Sequence, residues 1–204
     1  EEGSASGYKI DHKTGALQYI NTKESNGSGP CHVQTDMKDN WCIIGHYGSG
    51  NVSVLPILAG GNLGPSVQSI QYIQNNSINS LIPRVHSINI ASNNKDIFVP
   101  DLGLDKILHF TLQGKNQPLK PAKIPNISVT KGSGPRHFAF HPDGKFAYCI
   151  NEYTSKINVY KVHKDGLKDI TTVSTLPDSF SGKNYCADIN VSPDGKFVYG
   201  SNRG

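Results

Sequence analysis

Hydrophobic and polar residues alternate along most of the chain in short runs, separated by clusters of Gly, Pro, Asn and Asp. The segments His137–His141 (HFAFH), Lys145–Asn151 (KFAYCIN) and Lys156–Val162 (KINVYKV) carry the pattern most clearly. Alternation with a period of two, rich in aromatic and β-branched residues, predicts half-buried strands. A fourth strand is expected over Leu167–Leu176 (LKDITTVSTL), before the polar loop Ser179–Tyr185. Between the first two strands, Pro142-Asp143-Gly144 supplies a tight turn, because Pro presets φ and Gly tolerates the left-handed region.

This unit recurs. Pro135–Val162 is echoed by Ala187–Gly204, and more faintly by Pro83–Leu112 and Pro30–Ile57. His32, His86 and His137 open three copies, 54 and 51 residues apart, and Asp188 opens a fourth after another 51. A period of about fifty residues is that of a four-stranded propeller blade. The remaining fourth strands are expected near Ser66–Gln74 and Lys123–Val129, and Gly7–Ser25 fits the last two strands of a preceding blade. The chain therefore reads as all-β, a fragment of a β-propeller with four-stranded antiparallel blades. Half blades are expected over 1–26 and 182–204, with full blades over about 27–78, 79–130 and 131–181. An open ring would leave unpaired strand edges, so a larger parent protein and little activity from this segment alone are expected.

Composition agrees. Of 204 residues, 36% are hydrophobic and 18% charged, with 21 Gly and 12 Pro, which suits a turn-rich globular protein. The net charge of +4 is too mild and scattered to point to nucleic acid. Cys31, Cys42, Cys149 and Cys186 lack zinc-type spacing and are expected to be buried thiols. No apolar run has membrane-spanning length, and no carboxylate cluster suits calcium, so neither a membrane nor a metal is expected. Nucleophile-elbow, phosphate-loop, HExxH and dinucleotide motifs are missing from the sequence.

In a repeat, a residue that breaks the pattern has no structural duty shared by the other copies. The position before the opening residue holds Cys31, Val85, Arg136 and Ala187, and only one of these is charged. Each second strand ends in a polar residue, His46, Asp101, Asn151 or Asn202, suited to pinning the following turn. The next position holds Tyr47, Leu102, Glu152 and Arg203. Because strands alternate in direction, the start of the first strand and the end of the second share one face. His32, His86, Arg136, His137, Glu152, Asp188 and Arg203 are thus expected around one channel mouth. Arginine occurs only at 84, 136 and 203, all at or beside these positions, and its planar fork suits carboxylate or phosphate. Glu152 is the only glutamate beyond residue 24. It could serve as a reacting carboxylate or simply neutralise Arg136 or Arg203, and the residues alone leave both open.

Gly132–Glu152 (GSGPRHFAFHPDGKFAYCINE) closely resembles the signature of the seven-bladed β-propeller lactonases, the family of 6-phosphogluconolactonase and carboxymuconate cyclase. Tyr47–Val54, Val99–Ile107 and Val191–Gly204 extend the resemblance in order along the chain. It implies hydrolysis of a sugar lactone, foremost 6-phosphogluconolactone, without a cofactor. Glu152 and His86 would activate water, and Arg136 and Arg203 would hold the anionic group and the oxyanion. Arg84, His137, His32 and Asp188 are expected to contact this small anionic substrate. Cyclisation of a carboxymuconate and a non-catalytic binding role are the alternatives. A sugar-phosphate substrate implies a cytoplasmic protein, expected to be monomeric at full length. Two positions depart from the family: Ile82–His86 (IPRVH) puts Arg84 where many members have His, and His46 replaces an Asn.

Overall fold

A computed structural model describes residues 2–72, 81–114 and 116–204. Three four-stranded antiparallel sheets form, in each of which consecutive strands are neighbours, together with two two-stranded hairpins. The first hairpin pairs β1 (Glu2–Ile10) with β2 (Leu17–Ser28). The first sheet contains β3 (Pro30–Thr35), β4 (Trp41–His46), β5 (Asn51–Pro56) and β6 (Gln68–Gln71). The second contains β7 (Asn89–Ile90), β8 (Asp96–Asp101), β9 (Lys106–Leu112) and β10 (Leu119–Ser128). In the third are β11 (Pro135–Phe140), β12 (Phe146–Asn151), β13 (Lys156–His163) and β14 (Gly166–Ser174), and the last hairpin pairs β15 (Cys186–Val191) with β16 (Val198–Asn202). This is the all-β, four-stranded blade architecture that the repeat predicts. Of the strand expected near Ser66–Gln74, Ile73 and Gln74 lie outside the described residues.

One backbone turn is used four times between first and second strands. It is closed by amide-to-carbonyl bonds from Asp36 to Trp41, Ala91 to Asp96, His141 to Phe146 and Ser192 to Phe197, at 2.8–3.0 Å. Each turn needs one left-handed residue. Asp39 (φ 52°), Asn94 (φ 50°), Gly144 (φ 70°) and Gly195 (φ 72°) provide it. Asp and Asn are the side chains that best tolerate this region after Gly. The Pro-Asp-Gly turns are therefore two of four equivalent turns.

Apolar faces pack between neighbouring sheets. Ile43 and Val54 meet Ile88, Val99 and Leu108 between the first and second sheets. Phe98 stacks on Phe138 at 5.8 Å between the second and third, with Ala147 and Tyr160 beside them. Ile150 and Ile157 meet Cys186 and Ile189 at the last hairpin. Burying one such side chain contributes roughly 1.5–3 kcal/mol, so these seams hold the sheets in fixed relation. The cysteine expectation needs one correction: Cys42, Cys149 and Cys186 are buried, but Cys31 is exposed.

The second sheet also corrects the repeat alignment. In the first and third sheets one residue bulges between paired positions: Pro30 faces His46 and His32 faces Gly45, while Pro135 faces Asn151 and His137 faces Ile150. Cys31 and Arg136 are the bulged residues. In the second sheet Val85 bridges Asp101, and pairing resumes one step out of register at Asn89–Phe98. A shared hydrogen bond fixes the equivalence, running from the amides of Tyr47, Leu102, Glu152 and Arg203 to the carbonyls of Gly29, Arg84, Gly134 and Tyr185. Two residues further on stand Cys31, His86, Arg136 and Ala187. His86 is thus the counterpart of Arg136, and Ser87 is the counterpart of His32, His137 and Asp188.

Candidate active site

Two local devices deliver side chains to the mouth. The first is the bulge, which re-aims a side chain that regular pairing would turn into the sheet face. It presents Cys31, His86 and Arg136. The second is the pinned turn after the second strand. His46 Nδ1 lies 3.2 Å from the Asn51 carbonyl, Asn151 Nδ2 donates to the Lys156 carbonyl at 3.2 Å, and Asp101 Oδ1 accepts the amides of Gly103 and Leu104. All three pinning residues are buried, and among the described residues Asp101 Oδ2 and Asn151 Oδ1 have no hydrogen-bond partner.

Arg136 and Glu152 come from the two devices of the third sheet. Arg136 Nε donates to Glu152 Oε2 at 2.8 Å, and Arg203 Nη2 reaches the same oxygen at 3.0 Å. Backbone carbonyls hold both guanidiniums in place: Arg136 Nη1 donates to Ala187 at 2.6 Å and Arg203 Nη2 to Cys186 at 3.1 Å. Among the described residues, Oε1 of Glu152 accepts no hydrogen bond. The side chains of Arg136 and Glu152 are 15% and 17% exposed, against 49% for Arg203. Removing Glu152 would leave the enclosed Arg136 charge without its carboxylate, typically at ~3–5 kcal/mol, whereas Glu152 without Arg136 would still meet Arg203.

Beside this cluster lie three imidazoles. His137 packs edge-to-face against His86 at 5.3 Å and His32 at 5.7 Å, and its Nδ1 is 2.7 Å from Asp188 Oδ1. The small Ser87, at the intervening equivalent position, leaves room for this approach. The Ile88 amide donates to His32 Nδ1 at 3.2 Å, so the proton of the neutral ring sits on Nε2. Burial pushes His32 down to about 4, helped by His137. Burial also pushes His86 down to about 4, with the charge of Arg136 adding to it. For His137 burial likewise lowers the pKa, outweighing the opposing bond to Asp188. The buried Nδ1 of His86 has no hydrogen-bond partner among the described residues. Tyr47 meets the His86 ring at 5.6 Å, and Arg84 lies over the Tyr47 ring at 5.0 Å. Contacts therefore connect Arg84, His86, His137, His32 and Asp188, and Arg136 adjoins His86.

Residues 1–204 match the family described as Lactonase, 7-bladed beta-propeller. The chain belongs to that family. It is 36% identical over 198 residues to the 6-phosphogluconolactonase of Erwinia tasmaniensis, covering 96% of this chain and 56% of that protein. Identity to the 6-phosphogluconolactonase of Formosa agariphila is 33% over 208 residues, covering 99% and 58%. The solved periplasmic gluconolactonase of Pseudomonas aeruginosa matches with a TM-score of 0.91 at 29% identity, covering 100% of this chain and 58% of that one. The chain thus spans a little over half the length of the relatives it matches.

In this lactonase-family chain the mouth also holds residues that sequence reasoning did not pick out. Tyr153 and Tyr185, half exposed on the rim, meet edge-to-face at 6.3 Å. Their only sequence signal was adjacency: Tyr153 follows Glu152, and Tyr185 occupies the repeat position of Gly29, Arg84 and Gly134. Chemically, the site offers two forked cations, a carboxylate with one oxygen open, and a desolvated imidazole. Such a set can hold an anion or a polarised carbonyl and accept a proton. Among the described residues no three His, Cys, Asp or Glu side chains could hold a metal ion, and no helix is long and apolar enough to cross a membrane.

Proposed function

We propose that the full-length protein hydrolyses a sugar lactone, with 6-phosphogluconolactone as the substrate. The observation that carries this reading is Glu152, gripped at Oε2 by Arg136 and Arg203 while Oε1 accepts no hydrogen bond among the described residues. Water attacks the lactone carbonyl carbon while Oε1 takes its proton. Negative charge then builds on the carbonyl oxygen, where Arg136 and Arg203 can stabilise it. When the carbonyl re-forms, the ring C–O bond breaks, and His86 relays the proton taken up by Glu152 to the departing ring oxygen, giving a hydroxyl and a carboxylic acid that releases its proton to water. An imidazole with its pKa near 4 is neutral at pH 7 and free to accept that proton first.

The names of the Erwinia and Formosa relatives support the phosphorylated lactone, and such a substrate goes with a cytoplasmic protein. The Pseudomonas protein is named a periplasmic gluconolactonase, so substrate and compartment stand or fall together. Glu152→Gln in the full-length protein should lower kcat at least tenfold with the circular dichroism spectrum unchanged. Near-normal turnover would remove Glu152 as the base.

A further inference from the structure

One cation of the mouth has no part in lactone opening. Arg136 and Arg203 both engage Glu152, whereas no carboxylate lies within ion-pair distance of the Arg84 guanidinium among the described residues. Asp101 binds only the Arg84 backbone amide, at 2.7 Å, and spends the same oxygen on the turn amides. At the position of Arg84 the other sheets carry Gly29, Gly134 and Tyr185, so this charge is peculiar to the second sheet.

The side chain is seated rather than loose. Its stem passes over Gly103, where an added Cβ would come within 2.8 Å of Arg84 Cγ. The guanidinium lies over the Tyr47 ring, and Nη1 donates to the carbonyls of Tyr47 and Gly48, each at 3.1 Å. Nε and Nη2 take no part in these bonds. A guanidinium has five N–H donors in a rigid fork, so most of its capacity stays open toward the rim. The Tyr47 ring beneath Arg84 also meets His86 at 5.6 Å, and His86 meets His137 at 5.3 Å, which puts Arg84 on the same mouth as the imidazoles.

We propose that Arg84 is the specificity-determining residue of this mouth, binding a phosphate at the end of the substrate remote from the lactone carbonyl. The proposal rests on the reading that hydrolysis occurs at Glu152, Arg136 and Arg203. The lactone end of the substrate is uncharged before attack, so the two arginines at Glu152 act on charge that appears later. A phosphate at the far end is a dianion from the start, and it needs a preorganised cation of its own. Arg84 is held at the rim by Tyr47 and Gly48 with its fork open, and it supplies that cation at little further ordering cost.

The test uses the full-length protein with 6-phosphogluconolactone and its neutral analogue glucono-δ-lactone. Arg84→Gln should raise KM for the phosphorylated lactone at least tenfold and leave kcat within twofold. Kinetics on the neutral lactone should stay within twofold. Arg84→Lys should recover part of the lost affinity, since it keeps the charge without the fork, and it serves if the Gln variant does not fold. Equal losses on both lactones, or no loss on either, would overturn the proposal and leave Arg84 as a strap between sheets. Calorimetry with 6-phosphogluconate and gluconate separates this from the hydrolysis reading. If turnover is absent but Arg84→Gln still weakens 6-phosphogluconate at least tenfold and spares gluconate, Arg84 stands and the hydrolysis reading falls. Equal binding of the two by wild-type protein overturns Arg84 alone.

Discussion

The first and third four-stranded sheets share nearly every backbone device and differ in what they present. Both have a bulge before the first strand settles, a left-handed residue in the same turn, and a buried polar residue at the end of the second strand. At the bulge the first sheet carries Cys31 and the third Arg136. One residue past the second strand they carry Tyr47 and Glu152. The bulge is therefore a property of the blade, and it marks no site by itself. It gives each blade two sockets at the mouth, and chemistry depends on which side chains fill them. The third sheet fills both with opposite charges 2.8 Å apart, and the first fills them with a thiol and an aromatic wall.

The largest effect that tests this contrast comes from emptying the charged bulge socket. Arg136→Ala removes the Nε bond to Glu152 and the tie to the Ala187 carbonyl. Loss of one donor that stabilises a developing oxyanion lowers kcat by about 100-fold or more, and that is the expected result in the full-length protein. Arg136→Lys should recover only a fraction, because a point charge cannot hold Glu152 and the backbone carbonyl in the same plane. A loss below fivefold in kcat/KM for the Ala variant would mean that the third sheet is as inert as the first.

Much of this contrast was legible in the sequence because charge is scarce in the repeat. Arg136, Glu152 and Arg203 stood out as departures from a pattern, and they meet at one carboxylate oxygen. The place of His86 was not legible. Three histidines at nearly even spacing suggested a common register and concealed one extra residue. The trace of it lay in the interval to the second strand: His46, Asn151 and Asn202 follow His32, His137 and Asp188 by 14 residues, but Asp101 follows His86 by 15. Two of the four equivalent turns were hidden for another reason, since Asp39 and Asn94 take the left-handed position that Gly144 and Gly195 announce openly. Tyr153 and Tyr185 were hidden because they lie in the connections beside β12 and β15, where the strand pattern does not reach, and only their place on the rim distinguishes them.

An intermediate effect separates the second sheet from the third at the pinned turn. Asp101 and Asn151 are counterparts, but burial pushes the Asp101 carboxyl up to about 6 from 3.8, against three backbone amides that favour its charge. Among the described residues its buried Oδ2 has no hydrogen-bond partner. A carboxyl with a raised native pKa binds its proton more tightly when folded. Its contribution to stability is then intact below about pH 4 and is lost as pH rises through about 6. Asp101→Asn cannot ionise, and its Nδ2 can donate to the Lys106 carbonyl as Asn151 does to that of Lys156. The stability advantage of the variant should widen by about 1 kcal/mol between pH 5 and pH 8, read from urea unfolding of the full-length protein. An advantage that stays constant or shrinks over that range would show that Asp101 stays charged without penalty.

The smallest effect belongs to the bulge socket of the first sheet. Cys31 is exposed, and its Sγ makes only weak approaches to the carbonyls of Val85, His86 and Gly45 at 3.4, 3.6 and 3.8 Å. Replacing an exposed side chain of this kind usually shifts stability by less than about 0.5 kcal/mol. Cys31→Ala should therefore leave the unfolding free energy within about 0.5 kcal/mol and lactone turnover within twofold of wild type, where the matching change at Arg136 is expected to abolish most activity. Because the backbone at the two bulges is the same, the pair of variants separates the socket from its occupant. A tenfold loss of turnover in Cys31→Ala would mean that the bulge geometry itself, through the carbonyls of Val85 and His86, helps to place the His86 ring.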